Sequence, residues 1–173
     1  GRALLYETSR YVDIYKSYDD IARSRKLTPE ERKEQKKYTR LADCFTPLAK
    51  GMNSEYANQN SYDCIQVHGG SGFMLEYACQ RLYRDGRITS IYEGTTQLQT
   101  VAAIRYVTNG TYMNVIREYE EIEVPEAYKS IKARIHAMAD ACEAAVNKVK
   151  EAGNQNYHDL VARNLYEMTA DVV

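Results

Sequence analysis

Apolar residues along this chain recur at three- and four-residue steps, and no alternating pattern of useful length interrupts them. That spacing lines up side chains on one face of an α-helix and argues against a core built from sheets. The predicted fold class is therefore all-α. Leu4, Leu5, Thr8, Tyr11, Val12 and Tyr15 mark an amphipathic helix over residues 2–18. Thr28-Pro29-Glu30-Glu31 is a helix start: Thr28 can cap, Pro29 suits the first helical position, and Glu31 can complete a capping box. From there Tyr38, Leu41, Phe45, Leu48, Met52 and Tyr56 trace one stripe, which predicts a long helix over residues 29–66. Pro47 lies inside it. Proline removes a donor and crowds the preceding turn, so a kink or short break is expected near Thr46.

The long helix should end at Gly69-Gly70-Ser71-Gly72, with a short helix over residues 75–84 and a tight segment over 88–94 after it. Another helix, over residues 95–108, is closed by Asn109-Gly110. Val124-Pro125 opens a further helix, with Tyr128, Ile131, Ile135, Met138, Cys142 and Val149 on one face and a stop near Gly153. A last amphipathic run carries Tyr157, Leu160, Val161, Leu165 and Met168.

Composition narrows the function classes. The 173 residues suffice for one domain, or one domain with an appendage. A formal net charge of −1 argues against a general nucleic-acid or anionic-membrane binder, which needs an excess of Lys and Arg. No apolar run approaches the roughly 20 residues of a membrane span. The start, Gly1-Arg2-Ala3-Leu4-Leu5, has too short an apolar stretch for a signal peptide and reads as a helix entered partway, hence as part of a longer protein. The four cysteines, Cys44, Cys64, Cys79 and Cys142, are widely spaced, with no C-x-x-C pair and no His at a metal-ligand interval. No metal site or disulfide framework is expected, and free thiols in a reducing cytosol imply a cytoplasmic protein. Sixteen Tyr against two Phe and no Trp suit half-buried surfaces at subunit contacts or ligand clefts; compositional drift explains them equally well. The charged stretch over residues 23–40 reads as the solvated face of a loop and a helix start.

Residues 66–99 are the most informative. Three glycines in four positions, Gly69, Gly70 and Gly72, let a backbone approach a ligand or another chain, although a plain helix-ending loop also explains them. Glu93-Gly94-Thr95-Thr96 places a carboxylate just before a helix whose free N–H groups can hold an anion or a carbonyl oxygen. A plain reading exists here too: an acidic residue near a helix N-terminus, stabilised by the helix dipole.

Three linked signatures occur in order: Gln66-x-His68-Gly69-Gly70-x-Gly72, then Tyr83-Arg84-Asp85-x-Arg87-Ile88, then Ile91-Tyr92-Glu93-Gly94-Thr95 with Gln97. Together they resemble the acyl-CoA dehydrogenase family, most clearly over residues 1–108. The resemblance implies a bundle of that family's C-terminal type without its first helix over residues 1–111. Residues 112–173 resemble, more loosely, the helical extension of its larger members, here an appended helical hairpin. Gly86 stands where the family usually has Ala, and Ser71 where Tyr, Asn or Phe is frequent.

The resemblance also implies a chemistry: α,β-dehydrogenation of an acyl-CoA thioester with FAD as hydride acceptor. Glu93 matches the catalytic base, and Tyr92 and Gly94 match substrate-binding positions. Gln66, Gly69 and Gly70 match positions against the FAD of a neighbouring subunit, and Thr95 and Gln97 match positions against the subunit's own. One chain thus serves two flavins, which implies a homo-oligomer, dimer or tetramer, with electron-transfer flavoprotein as the acceptor. Two alternatives stand beside this reading: a non-catalytic helical assembly module, and an acyl-CoA oxidase on the same fold. His68 reads as a loop imidazole satisfying local backbone, and Arg84 with Asp85 as a structural ion pair. The stripe Tyr38, Leu41, Phe45 and Leu48 is expected to be left partly uncovered and to seek a partner.

Overall fold

Thr28 starts the longest element of the structure, a computed structural model that describes residues 1–173. Its side chain accepts from the Glu31 N–H at 3.2 Å, while the Glu31 carboxylate accepts from the Thr28 N–H at 2.9 Å. Both bonds of the capping box are therefore made. Arg25 adds two bonds to the same carboxylate, at 2.6 and 2.7 Å. From this start the chain forms eight α-helices and no strand. They are α1 (Arg2–Ser24), α2 (Pro29–His68), α3 (Gly70–Phe73), α4 (Ala78–Ile88), α5 (Thr96–Thr108), α6 (Thr111–Glu120), α7 (Lys129–Glu151) and α8 (Gln155–Val172). A 3-10 turn, Glu126–Tyr128, leads into α7.

The chain divides into two compact units, Gly1–Gln99 and Thr100–Val173. In the first, α1 packs along α2, and α2 also carries α3 and α4. The sequence stripe on α2 is real but narrower than the face that is buried, since Ala42, Cys44, Ala49 and Ser54 join Phe45, Leu48 and Met52 inside. Tyr11 of α1 meets the Phe45 ring edge-on at 5.3 Å and the Tyr38 ring at 6.1 Å. This corrects one expectation. Phe45 and Leu48 are 2% and 0% exposed, so the stripe is closed there, and only Tyr38 and Leu41 at its start are half-buried. The expected break near Thr46 does not occur either: α2 runs unbroken through Pro47. Gln35 of α2 donates to Asp19 of α1 at 2.6 Å, a polar tie beyond the apolar contact.

The second unit holds the remainder of α5 with α6, α7 and α8. Asn109 has two roles here. Asn109-Gly110 stops α5, and the Asn109 side chain then accepts from the Thr111 N–H at 3.0 Å and its hydroxyl at 2.6 Å, at the start of α6. The stop signal hid a helix that follows at once.

The faces of α7 and α8 follow the sequence reading only in part. Of the predicted α7 face, Cys142 and Val149 are buried, joined by Ala139 and Val146, whereas Ile131, Ile135 and Met138, with Tyr128 of the 3-10 turn, are exposed. On α8, Ala162, Leu165, Tyr166, Thr169 and Val172 face inward and Leu160 faces out. Small side chains decide this: the Cys142 Sγ and Thr169 Oγ1 atoms lie 3.5 Å apart, a close approach that bulkier residues would prevent. Arg117 of α6 ties this unit's surface together, donating to Glu120 at 2.8 Å, Asp140 at 2.5 Å and Glu143 at 3.1 Å. The guanidinium holds the Glu120 and Asp140 carboxyls below their ordinary pKa range. No helix is long and apolar enough to cross a membrane.

The capping box carries a test. Replacing Thr28 by Ala should lower stability by about 1 kcal/mol, as for other caps. Hydrogen bonds from Arg25, and then from the Thr28 N–H, hold the Glu31 carboxyl down at about 2, against an ordinary 4.5. Its contribution is thus present above pH 4.5 and fades as pH falls toward 2. Urea unfolding of wild type and Glu31→Gln should differ at pH 7 and converge near pH 2. A constant difference across that range would contradict the assignment.

Candidate active site

The turn between α4 and α5 is built from several short-range bonds. The Thr89 hydroxyl donates to the Gly86 carbonyl at 2.6 Å, and the Ile91 and Tyr92 N–H groups both reach the Ile88 carbonyl, at 2.9 and 3.1 Å. Arg87 donates to the Ser90 hydroxyl. Its neighbours Arg84 and Asp85, expected to pair, are both exposed and form no ion pair. The backbone then passes through the left-handed region at two consecutive residues, Glu93 with φ 51 and Gly94 with φ 93. Glycine accepts this freely. Glu93 does not: it is the one non-glycine residue of the chain with positive φ, a conformation that costs about 1–2 kcal/mol. Strain of this kind concentrates at functional sites, where surrounding contacts over-determine it.

Those contacts come largely from α2. Lys50 donates from Nζ to the Gly94 carbonyl. Gln99 donates to the carbonyls of Glu93 and Gly94, each at 3.3 Å. Glu55 accepts from the Thr96 hydroxyl at 2.5 Å, pinning the first turn of α5. Thr95 caps that helix, its hydroxyl accepting from the Leu98 N–H at 3.3 Å. Lys50 Nζ also lies 5.9 Å from the centroid of the Tyr92 ring.

Tyr92, Glu93, Thr95 and Gln97 are exposed and Gly94 is half-buried, so this turn presents all five sequence candidates within one short stretch. Gln66, Gly69 and Gly70 lie exposed where α2 gives way to α3. The three glycines there differ in what requires them. Gly69 has φ 59, a helix-ending conformation. A Cβ on Gly72 would meet the Ile65 carbonyl oxygen at 2.7 Å and the His68 Cβ at 2.9 Å, so close packing explains it. A Cβ on Gly70 would meet nothing within 4 Å. His68 satisfies local backbone, its Nδ1 lying 2.9 Å from the Cys64 carbonyl oxygen.

Sequence reasoning missed the residues that hold the turn. Lys50, Glu55 and Gln99 give no local signal, and Lys50 and Glu55 act across 44 and 41 positions. It also passed over a cluster of Cys64, His68 and Cys79, whose donor atoms all lie within 4.8 Å of one another. The i,i+4 spacing of Cys64 and His68 on a helix was the available sign.

The backbone at Glu93 and Gly94 sets a stability order. Glu93→Val, a β-branched residue at positive φ, should destabilise the chain by about 1–2 kcal/mol relative to Glu93→Gly. Gly94→Ala should cost at least about 1 kcal/mol, since an ordinary residue at this φ is strained. Urea denaturation of the three variants measures this, and equal midpoints for Glu93→Val and Glu93→Gly would contradict the left-handed backbone.

The sequence also has recognisable relatives among known proteins. The family described as "Acyl-CoA dehydrogenase, C-terminal domain" is matched by residues 30–107, and "Acyl-CoA dehydrogenase C terminal" by residues 108–173. An acyl-CoA dehydrogenase of Bacillus subtilis is 39% identical over 64 residues, 37% of this chain and 17% of that protein. The 3-methylmercaptopropionyl-CoA dehydrogenase of Ruegeria pomeroyi is 35% identical over 99 residues, 57% of this chain and 15% of that protein. The CarC subunit of the caffeyl-CoA reductase-Etf complex of Acetobacterium woodii is 46% identical over 52 residues, 30% of this chain and 14% of that protein. The chain therefore matches less than a fifth of the length of each of these relatives. No solved structure gives a significant match. With contiguous family matches from residue 30 to residue 173 on a helix-only fold, the chain belongs to the acyl-CoA dehydrogenase family.

Proposed function

We propose that the protein catalyses α,β-dehydrogenation of an acyl-CoA thioester, with Glu93 as the base that removes the α-proton. The observation that carries this reading is the left-handed backbone at Glu93, held by Lys50 and Gln99 and followed by Gly94. The fold spends strain on displaying this one carboxylate, and a residue that merely interacted with the helix dipole would not require it. An α-C–H is too weak an acid for a carboxylate unless the thioester carbonyl is polarised. The Glu93 N–H is assigned that role by the family resemblance. Tyr92 offers a half-exposed ring beside the base for the acyl chain or the thioester.

FAD, when bound, supplies the acceptor for the β-hydride. Thr95 and Gln97, exposed at the start of α5, would hold it from one side. Gln66, Gly69 and Gly70 would serve the flavin of a neighbouring subunit. These positions fit: all are exposed, and Gly70 leaves open space where a Cβ would stand, room for a ligand to approach the backbone. Val67 and Leu75, both 85% exposed, flank the glycine segment, as expected of a surface covered by another subunit. We assign residues 1–111 to the catalytic bundle and 112–173 to an extension. Electron-transfer flavoprotein is the proposed acceptor, a partner class in keeping with the Etf complex in which one relative is named.

The test is Glu93→Gln in the full-length flavoprotein, which keeps shape and removes only proton acceptance. FAD content and acyl-CoA binding should survive, while anaerobic flavin reduction slows by about 10²–10⁴-fold, the usual share of a positioned base. Peroxide release from wild type in air would point instead to an oxidase. A change of no more than about threefold, with flavin fully bound, would remove Glu93 from the mechanism.

A further inference from the structure

We propose that Cys64, His68 and Cys79 form a binding site for a single thiophilic divalent ion, of the class represented by zinc, at the junction of α2 and α4. Cys64 and His68 stand four residues apart near the end of α2, one above the other on one face. Cys79 is the second residue of α4. The two Sγ atoms lie 3.4 Å apart, and one donor atom from each of the three side chains lies within 4.8 Å of the other two. Two thiolates sharing one tetrahedral ion at about 2.3 Å each sit roughly 3.8 Å apart, and a thiolate and an imidazole nitrogen slightly closer. The sulfurs need to part by a few tenths of an ångström, and the imidazole to close in by up to about 1 Å, a ring rotation.

The surroundings suit an ion. With its Nδ1–H donated to the Cys64 carbonyl at 2.9 Å, the His68 ring leaves Nε2 as the donor for the ion, and a backbone acceptor of this kind commonly fixes a metal-binding imidazole. The Gly72 contact with Ile65 and His68 holds α3 tightly over the last turn of α2, so the cluster stands on rigid backbone. Cys79 is buried, Cys64 half-buried and His68 exposed. The sulfurs thus form the dry wall while the imidazole side leaves a path for entry and a fourth position for water. Two sulfurs and one nitrogen select zinc or cobalt over magnesium or calcium, which take oxygen donors. Bound there, the ion would clamp the ends of the Gly69–Tyr77 connection, which carries Gly69 and Gly70.

Cobalt reports on such a site directly. The full chain, reduced with a phosphine and kept anaerobic, should take up one equivalent of Co²⁺ with a thiolate-to-cobalt charge-transfer band and intense tetrahedral visible bands, all displaced by Zn²⁺. Cys64→Ser and Cys79→Ala should abolish the charge-transfer band. His68→Gln alters an exposed residue and leaves the fold intact. It should weaken the metal by at least the roughly 10–100-fold that loss of even an outer-shell partner brings. Cys44→Ser should change nothing. The proposal fails if no thiolate band appears at one equivalent, or if the band survives Cys64→Ser. It fails equally if His68→Gln binds as wild type, or if the two thiols are found as a disulfide that the phosphine does not open.

Discussion

Lys50 stands in the middle of α2 and donates to the carbonyl of Gly94, and Glu55, five residues on, accepts from Thr96. The turn between α4 and α5 is thereby tied to the central helix at two points, one on each side of Thr95. Both anchors are side chains of a single helix, so α2 restrains the turn at two points. This explains how Glu93 can persist at a positive φ that its side chain disfavours. The strained carboxylate, the left-handed Gly94 and the capped start of α5 follow from the same tether. What reaches the site through α2 depends in turn on the Thr28 capping box and on Tyr11, whose ring closes over Phe45.

How much of this was legible in the sequence depended on how local each signal was. The α2 start was legible, because Thr28, Pro29 and Glu31 complete their bonds within four residues. The site candidates from Tyr92 to Gln97 were legible as a motif, and the turn presents them in one stretch. The backbone at Glu93 was not legible: the residue after it is glycine, but nothing in Y-E-G-T marks the glutamate itself as left-handed. The anchors on α2 were hidden by sequence distance, since a lysine beside buried Leu48 and Ala49 reads as an ordinary helix-surface charge.

The second unit shows why helical periodicity gives the element more reliably than the face. Two neighbouring stripes on α7 both carry apolar residues, and the bulkier one, through Ile131, Ile135 and Met138, has the stronger hydropathy. Packing selected the other, because Cys142 lets Thr169 of α8 come within 3.5 Å, its hydroxyl already bonded to the Leu165 carbonyl at 2.8 Å, and Ala139 lies in one cluster with Val172. The helix after Asn109-Gly110 was hidden for a related reason: one residue pair both ends a helix and begins the next.

Amide hydrogen exchange in Lys50→Met measures the tether most directly. Removing a hydrogen bond from a charged donor should free about 1.5–3 kcal/mol of local opening, so exchange at the Thr96 and Gln99 amides should quicken by about 10–100-fold. Amides in the α1–α2 core, such as that of Leu48, should keep their protection. Unchanged exchange at Thr96 and Gln99, or an equal increase at Leu48, would contradict a turn held in its strained form by α2.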